Sequence, residues 1–230
     1  MKIAIFFPAG GSGKLIQSII EILLGDDSIE GPTSTGSMHH VKGHEIGYDV
    51  LPFYDDNLLS KSNIVYPVIC LDHINATKLK NNIKSILDWK IIYIYTTNIQ
   101  HCITMSNRNM YKFIRDNYAR LSKEVIFDRF GIDKPDHFDE ISVNLIEQVV
   151  VENAIETMKY RPLNYNIDNV LQLNYATIFK NGNVVDKISK FLDLYKNIEH
   201  AKIVLSKYID AQYQCPEYAT INSIKKYKRK

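Results

Sequence analysis

Cysteine is scarce and scattered. Cys70, Cys102 and Cys215 lie far apart, which suggests neither a disulfide framework nor a zinc knuckle and suits a reducing compartment. Long hydrophobic runs are missing: stretches such as 91–95 and 149–151 fall far short of the ~20 residues a membrane helix needs. The opening MKIAI reads as a strand at once, with no room for a signal peptide. A cytoplasmic protein without a membrane partner is expected. Strong net charge is also lacking. The formal charge is +2, and the tail KKYKRK at 225–230 alone carries five positive residues, so the body is net negative. That argues against nucleic-acid binding by the whole domain. The tail reads as a solvated flexible end, with an anion clamp as the alternative. What remains is ordinary: 45% apolar and 23% charged residues over 230, enough for a single α/β domain spanning 1–230.

A further absence falls inside the most informative stretch, FFPAGGSGKL at 6–15. Apolar residues, a glycine-rich turn with a lysine, and then LIQSIIEILLG give strand, turn and helix, the way a phosphate cradle is built. Gly10, Gly11 and Gly13 let backbone approach an anion, Ser12 offers a hydroxyl and Lys14 a point charge. The nucleoside-triphosphate pattern G-x-x-x-x-G-K-[ST] is nevertheless incomplete. Pro8 replaces its first glycine, and Leu15 replaces the hydroxyl that holds magnesium. The bland alternative is a glycine-rich connection with a surface lysine.

The rest of the chain alternates in the same way. Strands are expected at 2–7, 63–71 (NIVYPVICL), 90–95 (KIIYIY) and 168–174 (DNVLQLN). Helices are expected at 15–24, 75–87, 100–122, 138–160, 184–194 and 199–211, with a short turn or helix at 175–179. Residues 26–49 lack periodicity and read as a long surface loop. Strand–helix alternation with short turns predicts an α/β fold. The form expected is a three-layer P-loop-type parallel sheet flanked by helices, with extra C-terminal helices. Ligands then sit at the carboxyl ends of the strands.

Three segments follow strand ends. After the first comes the turn already described. After the second come Asp72 and His73: VICLD has the shape of a magnesium-holding strand, and a neutral His73 is placed to accept a proton from an alcohol. A histidine capping the next helix is the structural alternative. After the third come Thr96 and its neighbours. The loop GSMHHVKGHE holds His39, His40, His44 and Glu45; Gly43 argues against a helix that would align them on a metal, and no metal is expected. His39 and His40 fit an acceptor-binding loop, and His39 is a second candidate base.

This order of motifs resembles the sulfotransferase family. PAGGSGKL is similar to the turn with which those enzymes hold the 5′-phosphosulfate of 3′-phosphoadenosine-5′-phosphosulfate (PAPS), a turn that needs no metal-binding hydroxyl. VICLDH resembles their strand ending in a histidine base. KIIYIYTTNIQHCITMSNR lies where the family binds the 3′-phosphate, with Thr96 at its arginine and Thr104 at its serine; Ser106 and Arg108 are nearby substitutes. NVLQLNYATIFKNGNVVDKISKFLDL resembles the late block, with Tyr175 matching and Asp193 at the glycine of its "FLGL".

The resemblance implies sulfuryl transfer from PAPS, a co-substrate, to a hydroxyl or amine of a carbohydrate or small molecule. Lys14 and His73 would be catalytic. Gly10, Gly11, Ser12, Gly13, Lys14, Leu15, Thr96, Thr104, Ser106 and Arg108 would bind the nucleotide, and His39 and His40 the acceptor. Two other readings stay open: a magnesium-dependent P-loop kinase using Lys14 and Asp72, and a non-catalytic nucleotide-binding descendant.

Overall fold

The computed structural model describes residues 1–8, 11–32, 47–48, 63–70, 88–106, 113–157, 162–163, 168–178 and 183–214. It is an α/β protein whose sheet is parallel throughout and flanked by helices. Two compact units divide it: Met1–Thr97 with Tyr160–Gln214, and Asn98–Lys159 with Cys215–Lys230.

The five strands among the described residues all belong to the first unit. They are β1 (Lys2–Pro8), β2 (Gly47–Tyr48), β3 (Ile64–Cys70), β4 (Lys90–Tyr95) and β5 (Val170–Asn174), in the order β2-β3-β1-β4-β5. β1 is central because nothing in it tolerates water: Ile3, Ala4, Ile5 and Phe6 are fully buried, as both faces of a parallel sheet demand. Alternation sends Ala4 and Phe6 to one face, into a cluster with Ile64, Val68, Trp89, Ile91 and Tyr93. Ile3, Ile5 and Phe7 go to the other.

Helix α1 (Gly13–Leu23) packs on β1 and β3. It is buried nearly all round. It ends where Gly25 takes φ 111°, with Gly25 N–H donating to Ile22 O and Asp26 N–H to Glu21 O. That pair of bonds caps the last turn, as a left-handed glycine permits. After β5 come α6 (Tyr175–Ile178), α7 (Asn183–Leu192) and α8 (Ile198–Gln214), and α8 lies against α1. Asp193 has φ 57°, a left-handed conformation that glycine adopts most easily.

Among the described residues the second unit is helical: α2 (Ile99–Ser106), α3 (Phe113–Asn117), α4 (Lys123–Phe130) and α5 (Val143–Thr157), with 3-10 turns at Tyr118–Arg120 and Phe138–Glu140. Of the helix expected over 100–122, residues 107–112 lie outside the described residues, and its end differs: α3 stops at Asn117 and a 3-10 turn follows. The chain turns extended at Leu121 and Ser122, and the Ser122 hydroxyl accepts from Val125 N–H to start α4. The helix expected from 138 begins at 143 instead, where Ser142 Oγ accepts from Leu145 N–H. The helix expected at 75–87 lies outside the described residues. No helix among the described residues is long and apolar enough to cross a membrane.

Candidate functional site

The strand order reverses at β1. The chain leaves it towards β2 and β3 on one side and returns to β4 and β5 on the other. A crevice forms at such a reversal, outside the carboxyl ends of the strands. Its rim is marked by the register partners Pro8 and Cys70, so β1 and β3 end side by side. The turn into α1 leaves from that point.

The turn is tight. Gly11 N–H donates to Pro8 O at 2.8 Å, and a Cβ at Gly11 would stand 2.7 Å from the same oxygen. This amide is thus committed to the protein itself. Ser12 follows in the left-handed region (φ 63°, ψ 27°), a cost of roughly 1–2 kcal/mol for a residue with a Cβ. Its hydroxyl lies 3.4 Å from the Tyr208 hydroxyl on α8. Gly13 has a packing reason to be glycine, since a Cβ there would overlap the Phe7 ring. The close approach seats the first turn of α1 directly over the end of β1. The amides of Gly13, Lys14 and Leu15 precede the intrahelical ladder, which begins with Ile16 N–H to Ser12 O. They are the donors from which a helix N-terminus builds an anion site. Leu15 is 1% exposed and belongs to the core, so this position cannot present a metal-binding hydroxyl to the crevice.

Lys14 is engaged along the helix. Its ammonium donates to Gln17 Oε1 at 2.9 Å, and Gln17 Nε2 donates in turn to Glu21 Oε1 at 2.8 Å. Burial lowers the lysine pKa, partly offset by attraction to Glu21. Burial likewise pushes the Glu21 carboxyl up to about 7, against the Gln17 hydrogen bond and the Lys14 charge. Glu21 Oε2 is buried with no hydrogen-bond partner among the described residues. Ser18 Oγ donates to Lys14 O at 2.8 Å, which keeps its buried hydroxyl satisfied within the helix.

Other sequence-predicted residues fall as follows. Thr96, fully buried, follows β4 directly in the first unit. Thr104 lies on α2 in the second unit. Ser106, 0% exposed and also on α2, accepts from Asn153 Nδ2 of α5 at 3.0 Å. Tyr175 is buried at the start of α6, just past the carboxyl end of β5. Gly10, His39, His40, Asp72, His73 and Arg108 lie outside the described residues. Among the described residues no group of three or more His, Cys, Asp or Glu is placed to hold a metal ion. Gln17 and Glu21 were not nominated by the sequence. Their signal was available: a lysine in the first turn and a glutamate in the last stand at the wrong ends of the helix dipole.

An open groove of about 590 Å³ lies elsewhere on the first unit, lined by Lys90, Asp168, Gln172, Lys187, Lys190 and Phe191. Lys90 Nζ sits 5.0 Å from the centre of the Phe191 ring. Lys90 opens β4 and Asp168 precedes β5, so this groove is at the amino ends of the strands, away from the ligand-binding end of such a sheet. Comparisons of the chain with family models, with curated proteins and with solved structures find no match. The residues and their geometry define an α/β protein with a tight strand–turn–helix connection at the reversal of a parallel sheet.

Proposed function

We propose that the β1–α1 turn binds the 5′-phosphosulfate of PAPS without a metal and that the protein is a sulfotransferase-like enzyme of P-loop type. The observation that carries this reading is the combination at one place of a sheet reversal, a glycine turn, a helix N-terminus and a buried leucine where a magnesium ligand would stand. The amides of Gly13–Leu15 and the Lys14 ammonium would take the anionic oxygens. A kinase needs the hydroxyl that Leu15 denies, which places the magnesium reading second.

In the reaction proposed, the acceptor oxygen of a carbohydrate or small-molecule hydroxyl forms a bond to sulfur. The bond from sulfur to the 5′-phosphate oxygen breaks, and the electron pair leaves with the phosphate. His73 takes the hydroxyl proton. Lys14 and the turn amides stabilise charge on the bridging and sulfuryl oxygens. Thermal unfolding tests the binding step. A saturating desulfated product, 3′-phosphoadenosine-5′-phosphate, is expected to raise Tm equally with and without magnesium. ATP raising Tm only with magnesium would overturn the reading. For the chemical step, His73→Ala is expected to keep the Tm shift and lose turnover.

A further inference from the structure

The polar stripe of α1 breaks several local rules at once. Lys14, Gln17 and Glu21 follow one another at spacings of three and four, so they share a helix face. Lys14 occupies the first turn, where the helix dipole favours anions, and Glu21 the last, where it favours cations. The helix has no acidic residue in its first turn and no basic one in its last. The stripe lies in a helix whose other faces are core, and Gln17 itself is fully buried. The orientation of the Gln17 amide is fixed by its neighbours: an ammonium can only donate and a carboxylate accepts, so Oε1 faces Lys14 and Nε2 faces Glu21. Local rules broken together are expected at functional or strained sites.

Resting on the proposed reading of the turn, we infer that Gln17 and Glu21 are positioning residues that park the Lys14 ammonium along α1 and release it to an anion bound in the β1–α1 turn. A bound phosphate competes for the same ammonium with full charges in place of an amide oxygen. The strength of the hold depends on whether Glu21 carries its charge. Burial sets that carboxyl to ionise at about 7, so the hold tightens as pH rises through neutrality and slackens below it.

The groups around Glu21 support assigning this titration to it. Lys14 and Asp26 are the charges that act on it, with opposite signs. On α8, Lys207 donates to Glu30 O, and His200 stands 4.0 Å from Asp27 Oδ1. α7 turns Val184, Val185, Ile188, Ser189 and Leu192 inward. β1 and β3 contribute apolar residues such as Ile5, Phe7 and Val65.

The test has two arms on the full chain. In the first, lysine side chains labelled with ¹³C are followed by NMR from pH 5.5 to 8.5, and the Lys14 signal is assigned by its loss in Lys14→Met. An inflection near the Glu21 ionisation is expected in the wild type and is expected to vanish in Glu21→Gln; Gln17→Met should move the signal towards that of exposed lysines. In the second, calorimetric titration with 3′-phosphoadenosine-5′-phosphate at pH 6 and pH 8 compares wild type with Glu21→Gln, which serves as the control for the ligand's own protonation. Glu21→Gln is expected to bind roughly 3- to 10-fold tighter than wild type at pH 8, the size of one modest charge interaction, and about equally at pH 6. An absent inflection, or equal affinities at pH 8 with binding intact, overturns the inference alone. No binding by any variant at either pH overturns the anion-site reading, and the release step with it.

Discussion

The β1–α1 turn and the α2–α5 pair are both places where polar residues are buried, and they are buried on different terms. On α2, Ser106 has the Asn153 amide at 3.0 Å and lies on the same helix as the fully buried Cys102. That hydrogen bond joins two packed helices and is of the kind that makes their packing specific. At the turn, Ser12 stands in a left-handed conformation, Gly13 leaves no space beside Phe7, and Lys14 and Glu21 oppose the helix dipole. One carboxylate oxygen there has no hydrogen-bond partner among the described residues. Buried polarity joined across two packed helices reads as structure. Buried polarity set on a left-handed residue and against the helix dipole reads as a site.

The sharpest way to break this contrast is Gly13→Ala. In an exposed helix the change would stabilise by about 1 kcal/mol. Here the added Cβ meets the Phe7 ring, and destabilisation of roughly 3 kcal/mol is expected, near the upper end for overpacking. Denaturant unfolding measures it; a neutral or stabilising result would mean that the turn is looser than its geometry.

Ser106→Ala probes the other region. It removes the acceptor of one Asn153 amide hydrogen and is expected to cost about 1–2 kcal/mol of stability. Affinity for 3′-phosphoadenosine-5′-phosphate should not change. A variant that stays stable and binds the bisphosphate more weakly would move Ser106 from packing to the 3′-phosphate.

Glu21→Gln gives a smaller effect with a definite sign. Burial raises the folded carboxyl from its ordinary 4.5 to about 7. The stability gained from holding that proton is complete below the unfolded value and is lost as pH rises through the folded one. Wild-type stability should therefore decline between about pH 4.5 and 7 from this group. Glu21→Gln should remove that decline, leaving the variant no less stable than wild type at pH 8. Tm measured across the range checks it, and identical slopes would contradict the burial argument.

The sheet was legible where its strands are short apolar runs bounded by turns; β2, a two-residue strand within the stretch 26–49 that reads as a loop, is the exception. KIIYIY at 90–95 coincides with β4, and the strand expected at 63–71 differs from β3 by one residue at each end. α1 was legible from its apolar periodicity and Gly25. The second unit was less so, because its helices are short and partly exposed. Val125 and Phe127 point outward on α4, which blurs any apolar face. The starts of α4 and α5 are instead set by Ser122 and Ser142, whose hydroxyls accept from the helix amides. In the site, glycines and a lysine after a strand announced the turn. The roles of Gln17 and Glu21 were hidden because a Lys-x-x-Gln-x-x-x-Glu spacing on an apolar helix resembles an ordinary solvated stripe. Apart from the charges at the wrong ends of the helix dipole, burial and hydrogen-bond direction are what separate the two.

The central claim is that this turn holds a phosphate compound through Lys14 and without a metal. Calorimetric titration of wild type and Lys14→Met with 3′-phosphoadenosine-5′-phosphate, in the presence of chelator, tests it most directly. Micromolar binding by the wild type and at least tenfold weaker binding by the variant is the result expected, since a charged hydrogen bond contributes about 1.5–3 kcal/mol. Binding of ATP alone, and only after magnesium is restored, would contradict it.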